Sequence, residues 1–483
     1  MTASAKKPSF AATAIIALLA ASALLMWLPA LHVPLWGDDY VFLLQARTAN
    51  AAGLPWWSDF LPSSPVRFWR PLSQEGYWRL MLALTGGNAV ALHAGNFLLH
   101  LLASLAVGLL AWRTALACQW PRASRIGVLA GVIHGGLAMH LLPLHWVAAA
   151  NNSMLVLFSS LALAAWIDAP CRDGLRRVLL LVAVPPLLAL ALLCKESAVL
   201  TPLLMVVLGL FCGRQRWRVG EIATLAACLL LVAIWLVLDR RFTADTDASY
   251  TLELGANVLR NGVSFIAWML NVPREAIRLA MTGSLLPALA WSALAALPML
   301  AACTLAVRGQ QHTLSPRQWL GVAVFAGLAY GPYFLFSWNS YAYYAAVAAI
   351  LPAIVLARLG AAHPRLWLIA ALLALSAWSA VSGTRHVSQP GLIARAQWGE
   401  HLLRQLEQQP PEAPLWVATG DEQRFYAIGQ AGLAWRLGIA PSAIHPVRHC
   451  PAKAARCLVI DDHGKWHWRD ATGTAGTATK QQP

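Results

Sequence analysis

Charge is what this sequence has least of. Only 12% of its 483 residues are Asp, Glu, Lys or Arg, about half the share that a soluble domain carries. With 58% of the residues hydrophobic, a water-soluble fold of this length would leave too much apolar surface exposed. Carboxylates are the scarcer sign, 21 against 36 basic residues. The His-Glu-x-x-His pattern and the clustered cysteines of zinc sites are both absent. No repeat of solenoid length recurs, which excludes the stacked-repeat architectures. Six of the eight cysteines, including Cys194, Cys212, Cys228 and Cys303, lie in or near apolar runs. There they serve as small core residues.

What is present is a series of long apolar runs. The first, Phe10 to Leu31, follows Lys6 and Lys7. It is too long for the core of a secretory signal and lacks a clear cleavage site, so it reads as a retained helix. Further runs cover 91–112, 123–143, 147–167, 175–193, 197–212, 219–238, 285–307, 317–337, 342–360 and 366–383. Such lengths suit a hydrocarbon core of ~30 Å, and unalternated runs cross it as helices rather than barrel strands. The expected fold class is therefore an all-α polytopic membrane protein of about eleven transmembrane helices. Arginines fall in every second short connection: Arg113, Arg122 and Arg125; Arg172, Arg176 and Arg177; Arg214, Arg216 and Arg218; Arg308 with Arg317; and Arg358 with Arg365. The positive-inside rule then places the amino terminus in the cytoplasm and the carboxyl terminus outside, in a cell inner membrane. The net charge of +15 is mostly topogenic, so no nucleic-acid partner is needed to explain it.

Three segments do not belong to simple spans. Residues 32–90 and 239–284 form long outer loops within a membrane domain, 1–383. In the second loop Val258–Met281 mixes Phe265, Trp268 and Met269 with Arg260, Arg274 and Arg278, which suits a helix lying at the interface or a broken span. Residues 384–483 read as a small α/β outer domain, with strands at Pro414–Ala418 and Cys457–Ile460 and a helix at Glu422–Leu437. Its last dozen residues have the composition of disordered chain. Cys450 and Cys457 flank a short basic segment there, and an oxidising compartment allows them a disulfide.

The outer connections collect the chemistry-bearing residues. Asp38 and Asp39 follow the first span in the segment Trp36-Gly-Asp-Asp-Tyr40. They make either a solvated turn or a general base with a carboxylate neighbour that orients it or binds a divalent cation. In Arg67-Phe-Trp-Arg-Pro-Leu72, Arg67 and Arg70 are either interfacial anchors or phosphate ligands. Lys195-Glu196 reads as a self-neutralising pair, or as a phosphate-facing lysine fixed by a carboxylate. His145, Asn151 and Asn152 mark another connection, and His140 with His145 could ligate a metal. Tyr341, Tyr343 and Tyr344, after Trp338 and Asn339, suit an aromatic belt or stacking faces for a sugar or isoprenoid.

The order of these motifs carries more than any one of them. An acidic pair after the first helix, an Arg-Pro-Leu segment before the second, Pro143–Trp146 entering the fourth and Lys195-Glu196 between the fifth and sixth resemble the GT-C-type membrane glycosyltransferases. The likeness is greatest to the protein O-mannosyltransferase-related group and covers roughly residues 10–210, with a weaker match near 330–350. It implies a polyprenyl-phosphate sugar donor, Asp38 as catalytic base, Asp39 as its acidic neighbour, and an interfacial helix near Asn50–Leu61. Two departures stand out. Asn151-Asn152 replaces the Gly-Arg of many relatives, so Arg67 or Arg70 would have to supply the phosphate contact. The carboxyl-terminal segment lacks the tetratricopeptide array and β-trefoil of others, so the acceptor, whether protein, lipid or glycan, is not carried over.

Such a donor implies single displacement with inversion, since no covalent sugar–enzyme intermediate is indicated. Arg67, Arg70, Lys195 and Glu196 would then surround the leaving phosphate. The competing class is a transporter or lipid flippase with an outward-facing polar cavity, against which stand the missing inverted repeat and the charges gathered at one surface. A non-catalytic scaffold is the third.

Overall fold

The computed structural model describes residues 10–244, 250–308, 314–337, 341–386, 391–420, 422–452, 454 and 456–470. The carboxyl-terminal tail and the Trp338–Asn339 pair lie outside the described residues. All eleven apolar runs contain helix. Among the described residues six helices are long and apolar enough to cross a membrane: Ala11–His32, Ala89–Ala117, Val147–Cys171, Gly174–Leu192, Val219–Phe242 and Leu285–Arg308. Ala123–Gly135 and Ala138–His145 make a seventh if counted together, bent by 54° at the break. Glu196–Phe211, Ile350–Ala361 and Leu366–Ser382 are shorter apolar helices. The chain is a multi-pass membrane protein.

Small residues bring these helices together, since lipid offers no hydrophobic incentive for helices to associate. Ala89–Ala117, capped by Asn88 on Ala91 N–H, packs on Ala123–Gly135 at Gly108, Gly127 and Gly131. A Cβ at Gly131 would stand 2.7 Å from Ser104 O, so the backbones touch. At one end of the bundle the arginines of the short connections find the few carboxylates. Asp168 meets Arg172 at 3.0 Å and Arg113 at 3.5 Å, and Glu221 meets Arg177 at 3.6 Å and Arg214 at 3.7 Å.

The other end carries the long connections. A helix runs from Asp38 to Ala51, followed by a 3₁₀ turn at Trp56–Phe60. The interfacial element expected near Asn50–Leu61 is thus this short turn. It exposes Trp56 and Trp57 and is tied down by an Asp59–Arg79 ion pair of 3.2 Å. The amphipathic stretch splits into helices Ala256–Met269 and Arg274–Met281, broken where Asn271 takes φ +68° just before Pro273.

Strands β1 (Leu415–Thr419), β2 (Ile444–Val447), β3 (Arg456–Ile460) and β4 (Trp466–Asp470) form a sheet of order β2-β1-β3-β4. β1 pairs in parallel with β2 and β3, with Val417 opposite Leu458. β4 closes the edge antiparallel. The expected helix at Glu422–Leu437 is two pieces, Glu422–Phe425 and Gly429–Leu437, and Leu392–Gln408 precedes the sheet. Cys450 and Cys457 form a disulfide. Much of this unit's core is shared: Leu402, Val417, Leu433 and Leu458 join one buried cluster with Tyr40, Leu43 and Trp78. The sheet unit is thereby seated on the connection that holds the two aspartates.

Candidate active site

Asp38 and Asp39 stand in the first turn of the helix Asp38–Ala51, where the helix dipole favours negative charge. Gly37 turns the chain into that helix at φ +59°, and a Cβ there would meet the Tyr426 ring at 2.9 Å. Successive helical residues point about 100° apart, so the two carboxylates separate at once. Asp39 turns inward and is fully buried. Its Oδ2 accepts the Trp36 N–H at 3.1 Å and its Oδ1 the Ala148 N–H at 2.7 Å. Burial holds its pKa well above the ordinary carboxylate range, against the pull of those two donors. Asp39 thus clamps the end of the first span to the connection before the fourth.

Asp38 turns the other way. It is half-buried, accepts a hydrogen bond from the Tyr426 hydroxyl, and has Arg67 and Arg70 as its positive neighbours. Burial outweighs all three and raises its pKa. Burial and the Asp38 charge also push the Tyr426 phenol upward, so its proton stays on and is donated.

The segment bearing Arg67 and Arg70 is pinned at both sides. Val66 exchanges backbone bonds with Phe242 and Ala244, at 2.8 and 2.7 Å, and Leu72 N–H reaches Leu193 O at 3.1 Å. Arg70 pairs bidentately with Glu196, Nε to Oε2 at 2.8 Å and Nη2 to Oε1 at 2.7 Å. Glu196 is therefore the partner of Arg70, a correction to the expected Lys195–Glu196 pair. Lys195 is extended, φ −162° and ψ 136°, and extended backbone sends neighbouring side chains to opposite sides. Its ammonium lies 4.6 Å above each of the Tyr343 and Tyr344 rings and, among the described residues, closes no ion pair. Burial and nearby Arg70 bring its pKa down to about 7. Arg70 lies within electrostatic reach of both Asp38 and Lys195.

Other expected residues have different places. Tyr341 stacks on Tyr343 at 5.4 Å and carries Arg274 over its ring at 4.1 Å. His145 is buried, with Nδ1 at 2.8 Å from Leu141 O, and belongs to the wall. Asn151 and Asn152 are buried in the first turn of helix Ala150–Asp168, each with one amide atom lacking a partner. Among the described residues no three His, Cys, Asp or Glu side chains gather as metal ligands. Each Asp39 oxygen accepts one backbone N–H. Sequence reasoning missed Tyr426 and Arg395. A lone tyrosine and a lone arginine in a polar segment give no signal.

A bundle of this kind, with long connections and a small α/β unit at one end, is a GT-C-like polytopic fold. Among solved structures the chain resembles ArnT from Cupriavidus metallidurans bound to undecaprenyl phosphate, at TM-score 0.53 and 16% identity over 93% of each chain. The apo form of that protein gives TM-score 0.54 and 16% identity, again over 93% of each chain. No protein-family model matches the sequence, and no curated protein matches it.

Proposed function

We propose that the protein is an inverting glycosyltransferase that moves a sugar from a polyprenyl-phosphate donor to an acceptor hydroxyl at the extracytoplasmic face. One observation carries this reading: a half-buried carboxylate, Asp38, facing Arg67 and Arg70, with Lys195 beside Arg70. The GT-C-like fold supports it, and a solved structure of that fold binds undecaprenyl phosphate. A kinship with the O-mannosyltransferase group is part of the proposal.

In this mechanism Asp38 takes the proton of the acceptor hydroxyl as it attacks the anomeric carbon. A positioned base typically contributes ~10²–10⁴-fold, and the raised pKa of Asp38 strengthens it as a base. The carbon–oxygen bond to phosphate breaks on the opposite face. The departing phosphate needs no proton if fixed positive charge receives it. Arg70 is held in place by Glu196 and Lys195 by two tyrosine faces, so neither has to reorganise. A phosphate arriving at Lys195 draws the ammonium back to its charged form. Asp39 acts as a positioning residue, holding the first turn of its helix.

Membranes containing the protein, incubated with labelled polyprenyl-phosphate sugars, test the reading. Transfer that disappears in Asp38→Asn at matched protein level supports it. Movement of the donor across the bilayer without transfer, unaffected by Asp38→Asn, would replace it with the flippase reading.

A further inference from the structure

Three thiols gather at the end of the bundle that carries the arginine-rich short connections, opposite the site above. Cys118 follows the helix Ala89–Ala117, Cys212 follows the helix Thr201–Phe211, and Cys171 ends the 3₁₀ turn Ala169–Cys171. The Cys118 and Cys212 Sγ atoms lie 3.1 Å apart, although the two residues are 94 positions apart in the chain. Cys171 lies within electrostatic reach of both, and Arg214 within reach of Cys171 and Cys212. Cys171 is exposed, and Cys118 and Cys212 are each partly exposed.

Plain packing does not account for this pair. Core cysteines are buried, as Cys194 and Cys228 are, whereas Cys118 and Cys212 each keep a side open to a small oxidant. A shared metal does not account for it either. Two thiolates on one tetrahedral zinc ion at ~2.3 Å stand about 3.8 Å apart, wider than this pair. Among the described residues, no three His, Cys, Asp or Glu side chains gather as ligands. A disulfide bond is ~2.05 Å long, so joining the two sulphurs takes an approach of about 1 Å. Both cysteines stand at helix ends, where the hydrogen-bonded ladder stops. The proposed topology puts this end in the cytoplasm, where thiols stay reduced unless an oxidant intervenes.

We propose that Cys118 and Cys212 are a redox-active dithiol, a modification site that a hydroperoxide converts to a disulfide and a free thiol restores. The hydroperoxide transfers one oxygen to the Cys118 sulphur, giving a sulfenic acid and releasing an alcohol, or water when the oxidant is hydrogen peroxide. The Cys212 sulphur, in contact already, attacks the oxidised sulphur. The S–S bond forms, and the hydroxide that leaves carries off the Cys212 proton as water. Two thiols thus lose two electrons and two protons, and the hydroperoxide gains them. Thiol–disulfide exchange reverses the step. The bond fastens the end of Ala89–Ala117 to the end of Thr201–Phe211. None of this depends on the glycosyltransferase reading.

The test uses full-length protein in the membranes of cells, quenched in acid and alkylated with N-ethylmaleimide before and after a pulse of hydrogen peroxide. In unstressed cells Cys118 and Cys212 should both be alkylated. After the pulse both should lose alkylation together, and dithiothreitol should restore it. Non-reduced mass spectrometry should then show one peptide pair joined through Cys118 and Cys212, and the same pair in Cys171→Ser. In Cys118→Ser, Cys212 should stay open to alkylation after the pulse. The wild-type arms decide the matter even if a variant fails to insert. Full alkylation of both thiols after peroxide would overturn the inference. So would a joined pair already complete in unstressed cells, which would be a permanent structural bond, or a bond from either cysteine to Cys171 instead. Protection of both reduced thiols by Zn²⁺ alone would make the pair a metal site and overturn it as well.

Discussion

Removing one oxygen, in Tyr426→Phe, separates the base function of Asp38 from the packing around it. The Tyr426 hydroxyl donates to the Asp38 carboxylate and so favours its ionised form. Deleting that donor raises the Asp38 pKa further, in the direction burial already drives it. A hydrogen bond to a charged group is worth ~1.5–3 kcal/mol. The Tyr426 ring is 40% exposed, so solvent screening argues for the lower end. At 1.36 kcal/mol per unit, the shift is about one pH unit. Arg67, Arg70, Asp39 and Tyr250 also bear on Asp38, but the substitution leaves them in place. The acid limb of kcat/KM should therefore move up by about one unit, with roughly ten-fold less transfer below the limb and little change on the plateau. The assay is transfer from labelled polyprenyl-phosphate sugar across the acid range at fixed ionic strength. An unmoved limb with a uniformly lower plateau would show that Tyr426 only packs against Gly37, and the hydrogen-bond argument would fall.

Asp39→Asn sets an amide N–H against a backbone N–H and should cost ~1–3 kcal/mol of stability, read as a lower Tm in detergent. Added Mg²⁺ or Mn²⁺ should restore neither stability nor transfer, and restoration would revive the metal-binding role. Arg70→Lys loses the fork that engages Glu196 and should cut kcat/KM at least ten-fold, more than its conserved charge suggests; near-normal turnover would remove Arg70 from the phosphate side. Cys450→Ser opens a small loop and should destabilise the sheet unit by about 2 kcal/mol, checked by urea-dependent proteolysis. Reporter fusions after Gln119 and after Gln409 should lie on opposite sides of the membrane, and the same side for both would invert or break the proposed topology.

The spans were legible because their signal is local. A run of apolar residues long enough to cross lipid has few alternatives to helix, and Asn88 and Ser315 mark helix starts that the structure uses. Less legible were helices with no lipid to match. Leu392–Gln408 is amphipathic over a soluble core, and β2 and β4 are four or five residues long with polar members. Their burial depends on partners elsewhere in the chain. The 54° break before Ala138 was hidden for a related reason, since both pieces of the span read as one apolar run.

The site divides along the same line, between chemistry set by local geometry and chemistry set by distant contacts. Asp38, Arg70 and Lys195 could be picked out because each is a charge beside an apolar run, where charge is expensive without a purpose. Their partners could not. Lys195 and Glu196 are adjacent, yet extended backbone parts them, and Glu196 reaches Arg70 across the fold. Asp38 and Asp39 are adjacent, yet helical rotation sends one to Tyr426 and the other to Ala148. Adjacent residues were thus poor guides to pairing, and the secondary structure at each doublet decides which way each charge faces. By the same reasoning, Arg274 and Arg278 share a helix face because their spacing is one turn. Nothing local announces Arg395, whose helix start is held where Leu392 and Ala396 pack in one buried cluster with Trp36. Loosening the seat of the sheet unit on Tyr40 and Leu43 should therefore disturb Asp38, although that residue itself has not been changed.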